Sequence, residues 1–167
     1  MTQEPAIGYR LFFIQALLEE LPRNQLEVTD KISKELLALL KLFLQQPENS
    51  GNLKGSVCVI EHRHLIKIMT RISATYEAFR ELIPQTVAKC LLPIVASGSL
   101  TLLPECTDFL IVIASCGSLS ANALNNVYGK ILERMKTEED LNLDETKSVF
   151  KFISACIAVQ PAAGKYD

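Results

Sequence analysis

The chain has no tryptophan, only two histidines and few aromatics of any kind, 7% of its 167 residues. Scarce histidine removes most of the side chains that act as general bases near neutral pH and most nitrogen ligands for zinc. Scarce aromatics remove the stacking platforms on which single-stranded nucleic acids are held. A large excess of one charge sign is missing too. The formal net charge is only -2, so attraction to polyanions or anionic membranes would need a local patch. No apolar run reaches the length of about 20 residues that a spanning helix needs, because the greasiest stretch, 87–116, is cut by Lys89, Pro93, Pro104, Glu105 and Asp108. There is no Cys-x-x-Cys, no Gly-x-x-x-x-Gly-Lys loop, no Gly-x-Gly-x-x-Gly and no Gly-x-Ser-x-Gly, the spacings that serve redox, phosphate, dinucleotide and acyl-transfer chemistry.

What is there is an apolar, globular composition. With 49% hydrophobic and 22% charged residues the chain is not of the disordered class. At this length a single domain, residues 1–167, buries roughly 70% of the surface its unfolded form exposes, so a core forms without metal or disulfide. The five cysteines, Cys58, Cys90, Cys106, Cys116 and Cys156, are odd in number, widely spaced and mostly set in apolar runs. That pattern fits reduced, buried thiols in a cytoplasmic or nuclear protein. The opening Met1-Thr2-Gln3-Glu4 starts neither a signal peptide nor a myristoylation site.

Apolar residues recur at three and four throughout, with no run of strand alternation, which predicts an all-α fold. A first helix is expected over 6–21, ended by Pro22, and a second from Thr29 or Asp30, which can cap it, to Pro47. The polar residues at about 47–55 read as a loop. A long helical segment follows over 56–83, with Leu65, Ile68, Met69, Ile72, Tyr76, Phe79 and Ile83 on one stripe and a possible break at Ser73-Ala74-Thr75. Pro84 opens the next helix, and Pro93 should bend or restart it. Pro104 starts a helix, 105–115, apolar on nearly all sides and expected to be central. A helix over 120–136, an acidic loop at about 137–143 and a last helix over 144–159, closed by Pro161, complete seven to eight helices.

Two joints share one tripeptide: Ser97-Gly98-Ser99-Leu100 and Cys116-Gly117-Ser118-Leu119. At each, glycine is expected to end a helix in the left-handed conformation and the serine beside it to cap the next. Connections this short make consecutive helices antiparallel neighbours, either stacked as hairpins or closed into a bundle. Leu82-Ile83-Pro84 leading into Val87, Leu91 and Leu92, followed by the two Gly-Ser-Leu turns, resembles HEAT or armadillo-type α-solenoids over residues 81–136. The resemblance implies helical hairpins stacked side by side and a non-catalytic scaffolding role.

The sharpest local constellation is basic. Arg63, Lys67 and Arg71 stand at successive i, i+4 positions with His64 beside them, forming a ridge on one helix face that can meet an acidic partner segment or phosphates. The plain alternative is a solvated face opposite the apolar stripe. Cys58, His62 and His64 do not make a zinc site: a fourth ligand is lacking and His62 and His64 point about 200 degrees apart on a helix. Leu36-Leu37-Ala38-Leu39-Leu40 matches a groove-docking Leu-x-x-Leu-Leu segment, but in a folded domain those leucines are needed for the core. Cys116 and Ser115 are the nucleophile candidates, and both histidines lie far from them in sequence. The reading is therefore a non-enzymatic protein-interaction scaffold without cofactor or metal, part of a larger complex and not membrane-bound. It binds a protein partner through the ridge Arg63, His64, Lys67 and Arg71 or a groove; the alternative is a nucleic-acid-binding helical domain using the same ridge.

Overall fold

A computed structural model describes residues 56–163 and, before them, residues 34, 35, 37, 38, 40, 41 and 44. The expected first helix, most of the second and the polar loop at 47–55 lie outside the described residues. The described chain is all-α, with no strand. By its internal contacts the chain divides into two compact units, Met1–Ile68 and Met69–Asp167. In the first, Leu40, Leu44, Leu65, Ile66 and Ile68 are buried, so Leu40 of the Leu-x-x-Leu-Leu segment is a core residue.

Helix α1 (Ser56–Thr75) crosses the division between the units. Its expected stripe is buried at Leu65, Ile68, Met69 and Ile72, and continues past the helix to Phe79 and Ile83. The long segment breaks where Ser73-Ala74-Thr75 suggested. Tyr76 is extended, with φ -121 and ψ 117, so the Ser73 carbonyl loses its helical partner. Two side chains replace it: Arg80 donates from Nε at 3.2 Å and the Cys116 thiol donates at 3.5 Å. A cation at a helix C-terminus also answers the partial negative charge there.

A 3-10 turn (Glu77–Leu82) leads into α2 (Ile83–Thr86), which has Pro84 in its first turn. There the missing proline N–H costs nothing, since first-turn donors have no helical partner. Pro93 is accommodated by a wide π turn (Val87–Leu91), closed by the Leu92 N–H on the Val87 carbonyl, before α3 (Leu92–Ser97) restarts. The bend expected at Pro93 thus takes the form of one extra residue in a turn.

The two glycine joints differ. Gly117 has φ 70, the left-handed value expected. Its N–H reaches the Ala114 carbonyl at 3.1 Å and the Ser118 N–H reaches Ile113 at 2.9 Å, the pair of bonds that close a Schellman motif. Gly98 departs from expectation: its φ is -78 with ψ -179, open to any residue. Glycine is required there for space, because a Cβ would stand 2.7 Å from Ile94 Cα. The caps differ as well. Ser99 caps the 3-10 turn Leu100–Leu102, but Ser120, not Ser118, caps α5 (Ala121–Met135), accepting from the Ala123 N–H at 3.1 Å. Ser118 is already spent on closing the Schellman motif.

Between the joints lies α4 (Leu103–Ser115). It is not apolar-buried all round, as the sequence suggested. Phe109, Leu110 and Ile113 are fully buried, but Ile111 is 48% exposed, because helical spacing sets it on the outward face with Pro104, Asp108 and Ser115. Residues 136–142 connect to α6 (Leu143–Ala163). The Asn142 side chain accepts from the Glu145 N–H at 2.9 Å and the Glu145 carboxylate accepts from the Asn142 N–H at 3.0 Å, a reciprocal box that fixes the helix start. Pro161 does not close α6, contrary to expectation; it lies inside the last turn, exposed. A proline there frees only the Ile157 carbonyl, and Ile157 is itself on the solvent side.

In the second unit α3 packs on α5, α4 on α6, and α5 also on α6. Phe79, Phe109 and Phe152 are the large side chains at its centre. Arg134, from α5, ties this packing to the first joint. Its guanidinium donates to the Ile94 and Val95 carbonyls at 3.2 and 3.3 Å and to Glu138 at 2.9 Å, answering the Val95 carbonyl at the end of α3 and joining the Gly98 N–H on that of Ile94.

Candidate functional site

All four predicted ridge residues lie on α1. Helical spacing keeps Arg63, Lys67 and Arg71 within one narrow sector, away from the buried stripe. Lys67 and Arg71 are exposed, whereas Arg63 and His64 are half-buried. Burial, then the charges of Lys67 and Arg63, push the His64 imidazole below its ordinary range. At neutral pH it is therefore uncharged, and the field of the ridge comes from the two arginines and the lysine. The outermost charge is carried by Lys67 and Arg71, one turn apart.

Cys106 is fully buried, and burial with the Glu105 charge beside it pushes its thiol up to about 12; burial pushes Cys156 up to about 11. Such thiols are neutral and inert. Cys90 is buried too, and Cys90, Cys106, Cys116 and Cys156 are not disulfide-bonded. Cys116 was expected to be buried but is half-exposed, because it sits at the end of α4 rather than within it. Its sulfur is occupied by the Ser73 carbonyl. The side chains of Cys58 and His62 lie outside the described residues. Among the described residues no group of His, Cys, Asp and Glu could hold a metal ion, and no helix is long and apolar enough to cross a membrane.

The feature that sequence reading missed is on α6. Leu143, Phe150 and Ile157 are 69%, 66% and 56% exposed, while Val149, Phe152, Cys156 and Val159 on the same helix are buried. The helix is thus apolar on two faces, one packed on α4 and α5 and one turned outward. A signal was present: three large apolar residues at a spacing of seven, beside a second apolar set already sufficient for the core.

No family model, no curated protein and no solved structure matches the chain.

Proposed function

We propose that the chain is a non-catalytic protein-interaction domain whose helices are stacked as hairpins in the manner of HEAT and armadillo repeats, acting within a larger complex in the cytoplasm or nucleus. The reading rests on the helix pairing of the second unit, where α3 lies on α5 and α4 on α6, two apart in chain order as between successive hairpins of such a stack, and α5 lies on its neighbour α6. The observation that carries the binding role is the outward placement of Lys67 and Arg71, one turn apart on α1, a local positive field on a chain of net charge -2. An acidic segment of a partner protein is its complement.

The test is charge reversal at both positions, Lys67→Glu with Arg71→Glu, followed by quantitative recovery of partners from native lysate. Helicity and melting temperature stay nearly unchanged, because exposed charges contribute little to stability. Recovery of the partner falls about tenfold or more, as charge-assisted contacts are worth roughly 1.5–3 kcal/mol each. Equal recovery by the double variant reduces the ridge to a solvated face. Recovery of nucleic acid instead, with binding that collapses at moderate salt, establishes the alternative of phosphate recognition.

A further inference from the structure

The outward face of α6 has a composition that selects its occupant. Leu143, Phe150 and Ile157 recur every seven residues and stay exposed, so they drift by only about 20° per repeat and form one nearly straight stripe. Their span of fourteen residues is about 21 Å, four helical turns. Lys147 and Lys151, one turn apart and exposed, run along one edge of the stripe. Neither makes an ion pair with any described residue. The helix carries no carboxylate after its first turn, where Asp144 and Glu145 stand, and Glu145 is already engaged in the capping box. Past that turn, the face is therefore apolar and purely cationic.

We propose that this face docks an amphipathic helix of a partner protein that has large apolar residues at heptad spacing and acidic residues one turn apart along one flank. The apolar stripe supplies the buried contact, with Phe150 at its centre where anchors weigh most. Lys147 and Lys151 set register and orientation by pairing with the acidic flank. A second copy of this chain is the poorer occupant: it would bring two more lysines and no carboxylate past the first turn. Phospholipid would lack the regular spacing of acids that the lysine pair reads. The surface lies on a different helix from the α1 ridge, and its test leaves the ridge untouched, so either proposal can fail alone.

Two synthetic helical peptides of about 15 residues, enough to match the four turns, serve as probes. They share one leucine heptad stripe and differ in carrying glutamates or lysines along the flank. Binding is read by fluorescence anisotropy with the full chain. The glutamate probe binds the wild type at least about tenfold more tightly than the lysine probe. Phe150→Ser weakens it by more than about tenfold. Lys147→Glu with Lys151→Glu reverses the preference between probes. All variants keep the wild-type circular dichroism and melting temperature, since the substituted side chains are exposed. Equal affinity for both probes overturns the proposal, as does indifference to Phe150→Ser. So does sedimentation showing a wild-type dimer that Phe150→Ser dissociates, which would give the face to a second copy.

Discussion

The joints at Gly98 and Gly117 carry the same Gly-Ser-Leu tripeptide and solve the end of a helix in two ways. At Gly117 the backbone turns left-handed, and two backbone bonds close the end of α4. At Gly98 the backbone is extended; its N–H returns to the Ile94 carbonyl at 2.8 Å, and a side chain from a distant helix, Arg134, closes the end of α3. One joint is local and self-sufficient, whereas the other is completed by tertiary contact. The glycine is required in both, by conformation in one and by space in the other. A sequence signal for glycine at a helix end therefore does not tell which constraint produced it.

That contrast can be broken at several points. The largest effect is expected at Arg134, whose side chain is only 10% exposed. Arg134→Met removes the side-chain donor from the Val95 carbonyl and leaves that of Ile94 with the Gly98 N–H alone, and should lower unfolding free energy by about 3 kcal/mol, the upper range for charged hydrogen bonds. Glu138→Gln, at the outer end of the same contact, should cost about 1 kcal/mol or less. Urea denaturation of both variants measures the difference, and equal losses would show that the carbonyl contacts carry no weight.

Next come the glycines. Gly98→Ala drives a Cβ to 2.7 Å from the backbone of Ile94 and should cost about 1–3 kcal/mol as overpacking does. Gly117→Ala should cost about 1–2 kcal/mol, from the left-handed backbone alone. Asparagine separates the causes: Gly117→Asn should recover part of the loss, because asparagine tolerates that backbone, whereas Gly98→Asn should recover none. Recovery at both sites would mean that the Gly98 constraint is conformational after all.

The smallest effect is one of rate. In a Cys58→Ser background at pH 8, a thiol reagent should label Cys116 first, at the open second joint, then Cys156 and last Cys106. The two slow thiols are held neutral by burial, near 11 and 12. Denaturant should abolish the order. Early labelling of Cys106 would contradict the packing of α4.

Much of the helical frame was legible because its signals are local. The break at Ser73-Ala74-Thr75, the restart at Pro93, and the extent of α5 within one residue at each end follow from spacing, proline and capping serine, whose physics acts within one or two turns. The overestimate of α4 had a different origin. Its composition is apolar enough for burial on every side, but only the positions that met neighbouring helices were covered, leaving Ile111 outside. The same limit hid the outer face of α6, since an apolar residue reads alike whether or not a neighbour arrives to bury it. The ridge positions were visible as spacing; their unequal exposure, and the neutrality of His64, were not.

By itself the sequence determined that the described chain is helical, that it breaks near Thr75 and restarts at Pro93, and which residues share a helix face, because periodicity and capping are properties of neighbours along the chain. Only the tertiary structure decided that Arg134 closes the end of α3, that Cys116 is half-open, and that Leu143, Phe150 and Ile157 remain outside the core. The Arg134 and Cys116 contacts join residues 40 and 43 positions apart, and such meetings, like the exposure of the α6 stripe, are settled by which faces pack together rather than by the composition of any one helix.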